Sequence, residues 1–332
     1  MPTQTTVQTV TGPVAVSDLG PTLMHEHMII GYPGWESDTV RPGPRRDNMI
    51  AMCKDRIDEM RGHGVTTMLD PCPNDLGRDV EFAAEMAART GFQVICATGL
   101  YKEDEGGAPY WKFRGNFGSG ADAMAEVFIR ELTVGIGDTG IKAGIIKVAT
   151  GQPAISDYER NILVAAAKAS VETGAPITTH TDHGVLGNEQ QKILTENGVP
   201  AHRIIIGHSC GTDDHDYHMN IVRGGSYLGF DRFGLEVLQP DAKRVASLLA
   251  LLKKGAASRV VVSHDSVWCW RGEPIPNTEM FAEMLAVWTP SHFFTGIVPK
   301  LIEGGATREQ IETMLVANPR RFFAGDPLPA LA

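Results

Sequence analysis

The sequence predicts an α/β protein folded as a TIM (β/α)8 barrel, with one domain spanning residues 1–332. Three observations predict it. Eight short apolar, β-rich runs alternate with longer helical patterns. No GxGxxG follows the first run, as it would in a doubly wound nucleotide-binding sheet. No shift of composition marks a second domain, and barrels of this length commonly run undivided.

In chain order the runs are "LMHEHMII" (23–30), "VTTMLD" (65–70), "FQVICATG" (92–99), "AGIIKVA" (143–149), "PITTH" (176–180), "RIIIGH" (203–208), "SYLGFD" (226–231) and "RVVVSHD" (259–265). Between them lie helical stretches such as 47–64, 78–91, 156–174 and 241–255, several opening on Ser or Asp and closing on Gly as helix caps do. Two Gly/Pro-punctuated aromatic segments, 102–120 after the third strand and 267–277 after the eighth, read as long loops shaping a pocket.

Composition narrows the function. A formal net charge of −10, with no basic run, argues against nucleic acid or an anionic membrane as partner. The five cysteines are odd in number and never spaced CxxC, so neither a disulfide framework nor a zinc knuckle is expected. The N-terminus lacks the pattern of a signal peptide and no run is long enough to span a bilayer, so a soluble cytoplasmic protein is the expectation.

The chemistry sits at the strand ends. His25 and His27 flank Glu26 in the first run, and the two-residue period of a strand turns both imidazoles to one face and Glu26 to the other. His180, His208 and Asp265 close the fifth, sixth and eighth strands, at the end where barrel active sites are built. Lys147 lies near that end of the fourth strand among Ile145, Ile146 and Val148. Taken alone it is a lysine that snorkels to solvent or pairs with a carboxylate. Four histidines and an aspartate at one mouth are too many ligands for a single tetrahedral ion, and imidazole with carboxylate suits Zn, Co, Mn or Fe; a two-metal site is the economical reading, with zinc first. A lysine carboxylated by carbon dioxide would become an anion able to bridge two cations.

With these residues the chain resembles the phosphotriesterase family of amidohydrolases, through "TLMHEH", "IIKVATG", "TTHT", "IGHSCGTDD" and "SHD", over roughly residues 5–325. The resemblance implies that His25, His27 and Asp265 hold the more buried metal, His180 and His208 the more exposed one, and that N6-carboxylated Lys147 bridges them with a hydroxide. It also implies a homodimer. Asp265 would accept the hydroxide's proton, while His264, on the opposite face of its strand, reads as a supporting residue.

Two stretches resemble the phosphotriesterase-like lactonases, which open lactones such as N-acyl-homoserine lactones, the signals removed in quorum quenching. "LGFDRFGLE" (228–236) is similar to their Asp-Arg-Tyr-Gly loop, with Phe233 in place of tyrosine and Arg232 lining the acyl side. "ATGLY" places Tyr101 beside the lactone ring. The segment "SVWCWRGEP" departs from the pattern and adds Trp268 and Trp270, expected as aromatic walls against a small neutral lactone or ester. A phosphotriesterase or another carboxylesterase on the same bimetallic site is the alternative. His183, His215 and His218 fall outside the set and read as surface or supporting residues.

Overall fold

The structure, a computed structural model, describes residues 5–276 and 278–331. Residues 1–4, 277 and 332, which include both ends of the expected domain and the last residue of the expected 267–277 loop, lie outside it.

The strands are β1 Thr6–Thr9, β2 Gly12–Ala15, β3 Thr22–Leu23, β4 His27–Ile30, β5 Thr67–Asp70, β6 Gln93–Leu100, β7 Ile145–Thr150, β8 Ile177–Thr181, β9 Ile204–Ile206, β10 Tyr227–Phe230, β11 Val260–Val262 and β12 Val267–Trp270. β1 and β2 form an antiparallel hairpin. Eight strands form one parallel sheet in the order β11-β10-β9-β8-β7-β6-β5-β3, and helices alternate with them. Apart from the separately paired β4, the order follows the chain without reversal, so there is no switch point and the doubly wound alternative is excluded. The sheet curls into a nearly closed TIM barrel, and the open edge between β3 and β11 is bridged by Met24 N–H donating to the Val262 carbonyl at 3.3 Å.

Alternation along the strands fixes what fills the barrel. Ile145, Ile95, Ala97, Leu69, Ile205, Tyr227 and Val261 form one buried cluster with Val7, Val16, Phe322 and Phe323, so the hairpin and the helix Asn318–Ala324 plug one end. Ile146, Val148, Ile177, Ile204, Leu228 and Val262 belong to the outer cluster packed under the helices. Each inward column is apolar low in the barrel and polar at its top, as in Ile145 followed by Lys147, or Val261 followed by Ser263 and Asp265. Gly99 is where this packing leaves no room: its φ is +135°, and a Cβ there would stand 1.7 Å from the Lys147 carbonyl oxygen.

The helix ends follow the sequence. Asp79 caps Val80–Thr90 by accepting from Phe82 N–H, Ser156 and Glu159 make a capping box on Asp157–Thr173, and Gly91 and Gly174 close these helices in left-handed conformations.

Three expectations need correction. The first run is not one strand: β3 pairs with β5, β4 pairs with β12, and residues 24–26 bend between them. The segment 102–120 is not all loop, because Ala108–Gly115 is helical and another helix begins at Gly120. The segment after the eighth barrel strand forms β12, since β4 offers it an open edge once the chain has bent away from β5. Among the described residues no helix is long and apolar enough to cross a membrane, and all five cysteines are free and buried.

Candidate metal centre

The bend at 24–26 keeps the expected geometry by a different route. Glu26 N–H donates to the Leu69 carbonyl at 3.0 Å, and the two histidines still face one way: His25 Nε2 and His27 Nε2 each lie 3.2 Å from Asp265 Oδ1. Lys147 points inward from β7 and puts its Nζ 2.9 Å from His25 Nε2. His208 follows β9 and Asp265 follows β11, both in left-handed backbone, with φ of 56° and 54°. Such a conformation is uncommon for a residue with a Cβ and clusters at functional sites. The rings of His25 and His208 are 4.7 Å apart and those of His180 and His208 4.6 Å. One ligand atom each of His25, His208 and Asp265 lies within 4.8 Å of the others.

Every histidine is oriented through its far nitrogen. Asp231 accepts from both His25 Nδ1, at 3.2 Å, and His208 Nδ1, at 2.9 Å. Asp70 takes His27 Nδ1 at 3.1 Å. Asp182 takes His180 Nε2 at 2.7 Å and is itself held by the Lys102 ammonium at 2.9 and 3.0 Å. A carboxylate behind each imidazole is the arrangement that fixes tautomer and aim in metal sites. The nitrogens left over point to a common centre, and His208 Nε2, fully buried, has no hydrogen-bond partner there. An orphaned imidazole nitrogen among three other imidazoles, a buried amine and a carboxylate fits divalent cations.

The electrostatics agree. Burial lowers the Lys147 ammonium to about 8 and pushes His180 down to about 3. Burial also holds His208 well below the usual histidine range, with the Arg232 charge adding to it. Against the pull of burial, the neighbouring His208, His25 and Arg232 keep Asp265 well below the ordinary carboxylate range. The His180 and His208 nitrogens are therefore neutral donors and the Asp265 carboxylate an anion, the protonation states a metal requires, whereas against the pull of burial Asp265 and Asp70 raise His27 well above the usual histidine range.

The sequence profile of the phosphotriesterase family matches residues 5–323. The chain belongs to the phosphotriesterase family. It is 42% identical to the solved organophosphorus hydrolase from Deinococcus radiodurans, covering 97% of this chain and 98% of that one with a TM-score of 0.93. A structure described as organophosphate hydrolysis engineered from a weak promiscuous lactonase template aligns at 40% identity, 96% and 99% coverage and a TM-score of 0.92. A phosphotriesterase homology protein of Mycobacterium tuberculosis is 37% identical, over 96% of this chain and 97% of that one. The protein is thus a hydrolase of a family of binuclear metal enzymes.

The family's mouth is here a cavity of about 190 Å3 that gathers His27, Lys147, His180, His208 and Asp265 at its floor, with Tyr101, Arg232 and Trp270 around it. The Tyr101 hydroxyl is 3.2 Å from His180 Nδ1, and Arg232 Nε donates to Asp265 Oδ2 at 2.9 Å. Trp268 is not there. Two residues on, Trp270 stacks on Tyr32 at 6.1 Å, whereas Trp268 is 5% exposed, with Nε1 donating to Ser266 Oγ at 3.0 Å. It lines a second cavity of about 630 Å3 against residues 40–44, 272–276 and 278–285, which shares only Trp270 with the first. The indole of Trp268 is tied to Ser266 Oγ, which itself donates to Glu26, and this keeps it out of the mouth.

Phe233 packs on Phe293 in the core, so that position needs no hydroxyl. His264 is a supporting residue: Glu26 takes its Nδ1 at 2.6 Å and its Nε2 accepts from Phe293 N–H at 2.8 Å. His218 is buried, with Nε2 on the Ser209 carbonyl at 2.7 Å. Sequence reasoning missed Asp70, Asp231, Asp182, Lys102 and Trp288. Asp70 and Asp231 carried a readable signal, since "MLD" and "GFD" end strands on an inward carboxylate just as "SHD" does.

Proposed function

We propose that the protein is a metal-dependent lactonase that opens small neutral lactones, N-acyl-homoserine lactones among them, with weaker hydrolysis of organophosphate triesters. His25, His27 and Asp265 would hold one divalent ion, His180 and His208 the other, and Lys147 would serve both as its carbamate. Burial favours that modification: with its ammonium lowered to about 8, more of Lys147 is free amine near neutrality than of an ordinary lysine. The amine adds to carbon dioxide and releases one proton to give the carbamate. Zinc is the first choice of metal for such imidazole and carboxylate donors, with Co, Mn or Fe as alternatives. When bound, the two ions supply a water acidified toward neutral pH and a Lewis-acid contact for the substrate's carbonyl or phosphoryl oxygen.

The observation that carries the lactone reading is the pairing of Tyr101 and Arg232 across one small cavity. Burial raises the Tyr101 phenol well above its ordinary value, so its hydroxyl is a permanent hydrogen-bond donor beside His180. Arg232, cationic and tied to Asp265, fixes that carboxylate's second oxygen. A space of about 190 Å3 suits a five-membered ring and its amide better than three bulky phosphoester arms, and a longer acyl tail must leave past Leu235, Leu238 and Trp270. The likeness to a promiscuous lactonase template supports this reading. The likeness to an organophosphorus hydrolase is the observation behind the alternative, a phosphotriesterase on the same residues. Five free thiols suit a reducing, cytoplasmic setting.

The test is hydrolysis of N-acyl-homoserine lactones of graded chain length, with paraoxon as comparator and metal content measured in parallel. Lactones should be opened at least about tenfold faster in kcat/KM than paraoxon. Lys147→Ala should lose metal and at least about 10³-fold in rate, the equivalent of roughly 4 kcal/mol. Two bound ions with paraoxon as the better substrate would overturn the lactone assignment.

A further inference from the structure

Glu26 sits between the two histidines of the first motif, and the mouth of the barrel is organised around its carboxylate. It is fully buried. Its Oε1 accepts from Ser263 Oγ at 2.8 Å, from His264 N–H at 2.9 Å and from His264 Nδ1 at 2.6 Å. Its Oε2 accepts from Ser266 N–H at 3.2 Å and from the Ser266 hydroxyl. The two backbone donors are the residues immediately before and after Asp265. Among the described residues the barrel ladder stops at Leu23 and Val262 and pairing resumes only at His27 and Val267, so Asp265 lies in the gap along this seam, in the left-handed region, a conformation that persists only where its surroundings impose it.

The same carboxylate reaches the other side of the seam. Ser263 Oγ, which donates to Glu26, accepts from His25 N–H at 3.0 Å, while Asp265 N–H donates to the His25 carbonyl at 2.9 Å and His27 N–H to the Ser266 carbonyl at 2.9 Å. His264 extends the grip outward, because its Nε2 accepts from Phe293 N–H and its carbonyl accepts from Trp288 Nε1 at 2.8 Å.

We infer that Glu26 is a positioning residue for the reaction: by bracketing Asp265 with two backbone hydrogen bonds it imposes the bend that aims the Asp265 carboxylate at His25 and His27. This rests on the reading of Asp265 as a metal ligand, but on no particular substrate. An amide in its place has one oxygen where the carboxylate has two, and sets an NH2 against the Ser266 donors or the His264 donors. A carboxylate that orients a ligand is typically worth about 10–100-fold in metal affinity or activity.

The test compares Glu26→Gln with wild-type holoenzyme and with Leu248→Ala, a buried helix residue outside the centre chosen to lower thermal stability. Three quantities are read: kcat and KM separately on whichever of lactone or paraoxon the wild type prefers, metal content, and the half-time of metal loss to a chelator. Glu26→Gln should lower kcat by about 10–100-fold with KM within about threefold, and shorten the chelation half-time by a similar factor. Leu248→Ala, assayed at the same distance below its own Tm, should change neither. If Glu26→Gln does not fold, Ser266→Ala takes its place, with a kcat loss of about tenfold and unchanged KM expected. Wild-type kcat and wild-type chelation in the folded variant would overturn the proposal, as would losses of equal size in Leu248→Ala. A wild type that binds no metal would instead sink the metal-site reading beneath it.

Discussion

His25, His27 and Asp265 converge from the two edges of the barrel seam, whereas His180 and His208 follow neighbouring strands of its continuous sheet. The seam half is held in depth: Asp70, Asp231 and Glu26 stand behind it, all buried. Support for His180 runs instead through Asp182 and Lys102 to Glu105, a largely exposed carboxylate 3.0 Å from the lysine. Strands that run on into their partners need little help to aim a side chain. Where the ladder stops, buried carboxylates take over its work, and a ligand near solvent is steadied by an ion-pair chain that ends in water.

The largest effect that would sharpen this contrast comes from Asp231, the one carboxylate common to both halves. Asp231→Ala should weaken binding of both ions by about 10–100-fold, Asp70→Asn should weaken one, and Asp182→Asn the other. Metal titration followed by spectroscopy of a cobalt-substituted centre reads each step. Equal loss of both ions in the Asp70 and Asp182 variants would break the division into halves. A smaller effect separates the two tryptophans of β12. Trp270→Ala should raise KM about tenfold for an apolar-tailed substrate, a change of roughly 1.4 kcal/mol. Trp268→Phe should leave KM alone and lower Tm, measurable by steady-state kinetics beside thermal melts.

The smallest effect on turnover should come from Asp241, which does not line the mouth and holds the loop after β10 by accepting from Gly234 N–H, Arg244 Nη1 and His292 Nε2. Burial works against its charge, but the bonds from His292 and Gly234 keep its carboxyl below the ordinary value. A depressed folded value means the stabilisation is complete above the unfolded value of about 3.9 and is lost as pH falls through the folded one. Asp241→Asn should therefore cost about 2 kcal/mol at pH 7, and the gap to wild type in urea melts should begin to narrow below about pH 4.

Much of this was legible because the barrel repeats one rule. The barrel rule places Lys147, His180 and Asp265 at strand ends, alternation turns His25 and His27 to one face, and the eight runs fall on the eight barrel strands. Sequence could not show that "LMHEHMII" breaks after Leu23, because the break is made by pairing: β3 is claimed by β5 and β4 by a segment more than two hundred residues away. Trp268 is held out of the mouth by its bond to Ser266, a contact that no motif announced. Asp182 and Lys102 were hidden for a related reason, since eighty residues separate them and neither lies in a motif.

Trp270 is a party wall between two rooms of unequal size. Among the described residues its indole is the one side chain that borders both, so a single codon decides whether the small chamber over the candidate metal centre stays separate from the larger apolar one beside it. A lineage under pressure to accept bulkier esters has a short route open to it, since knocking through that wall disturbs no ligand and no strand of the barrel. Variation in what such enzymes accept should therefore be sought at this position before the metal centre.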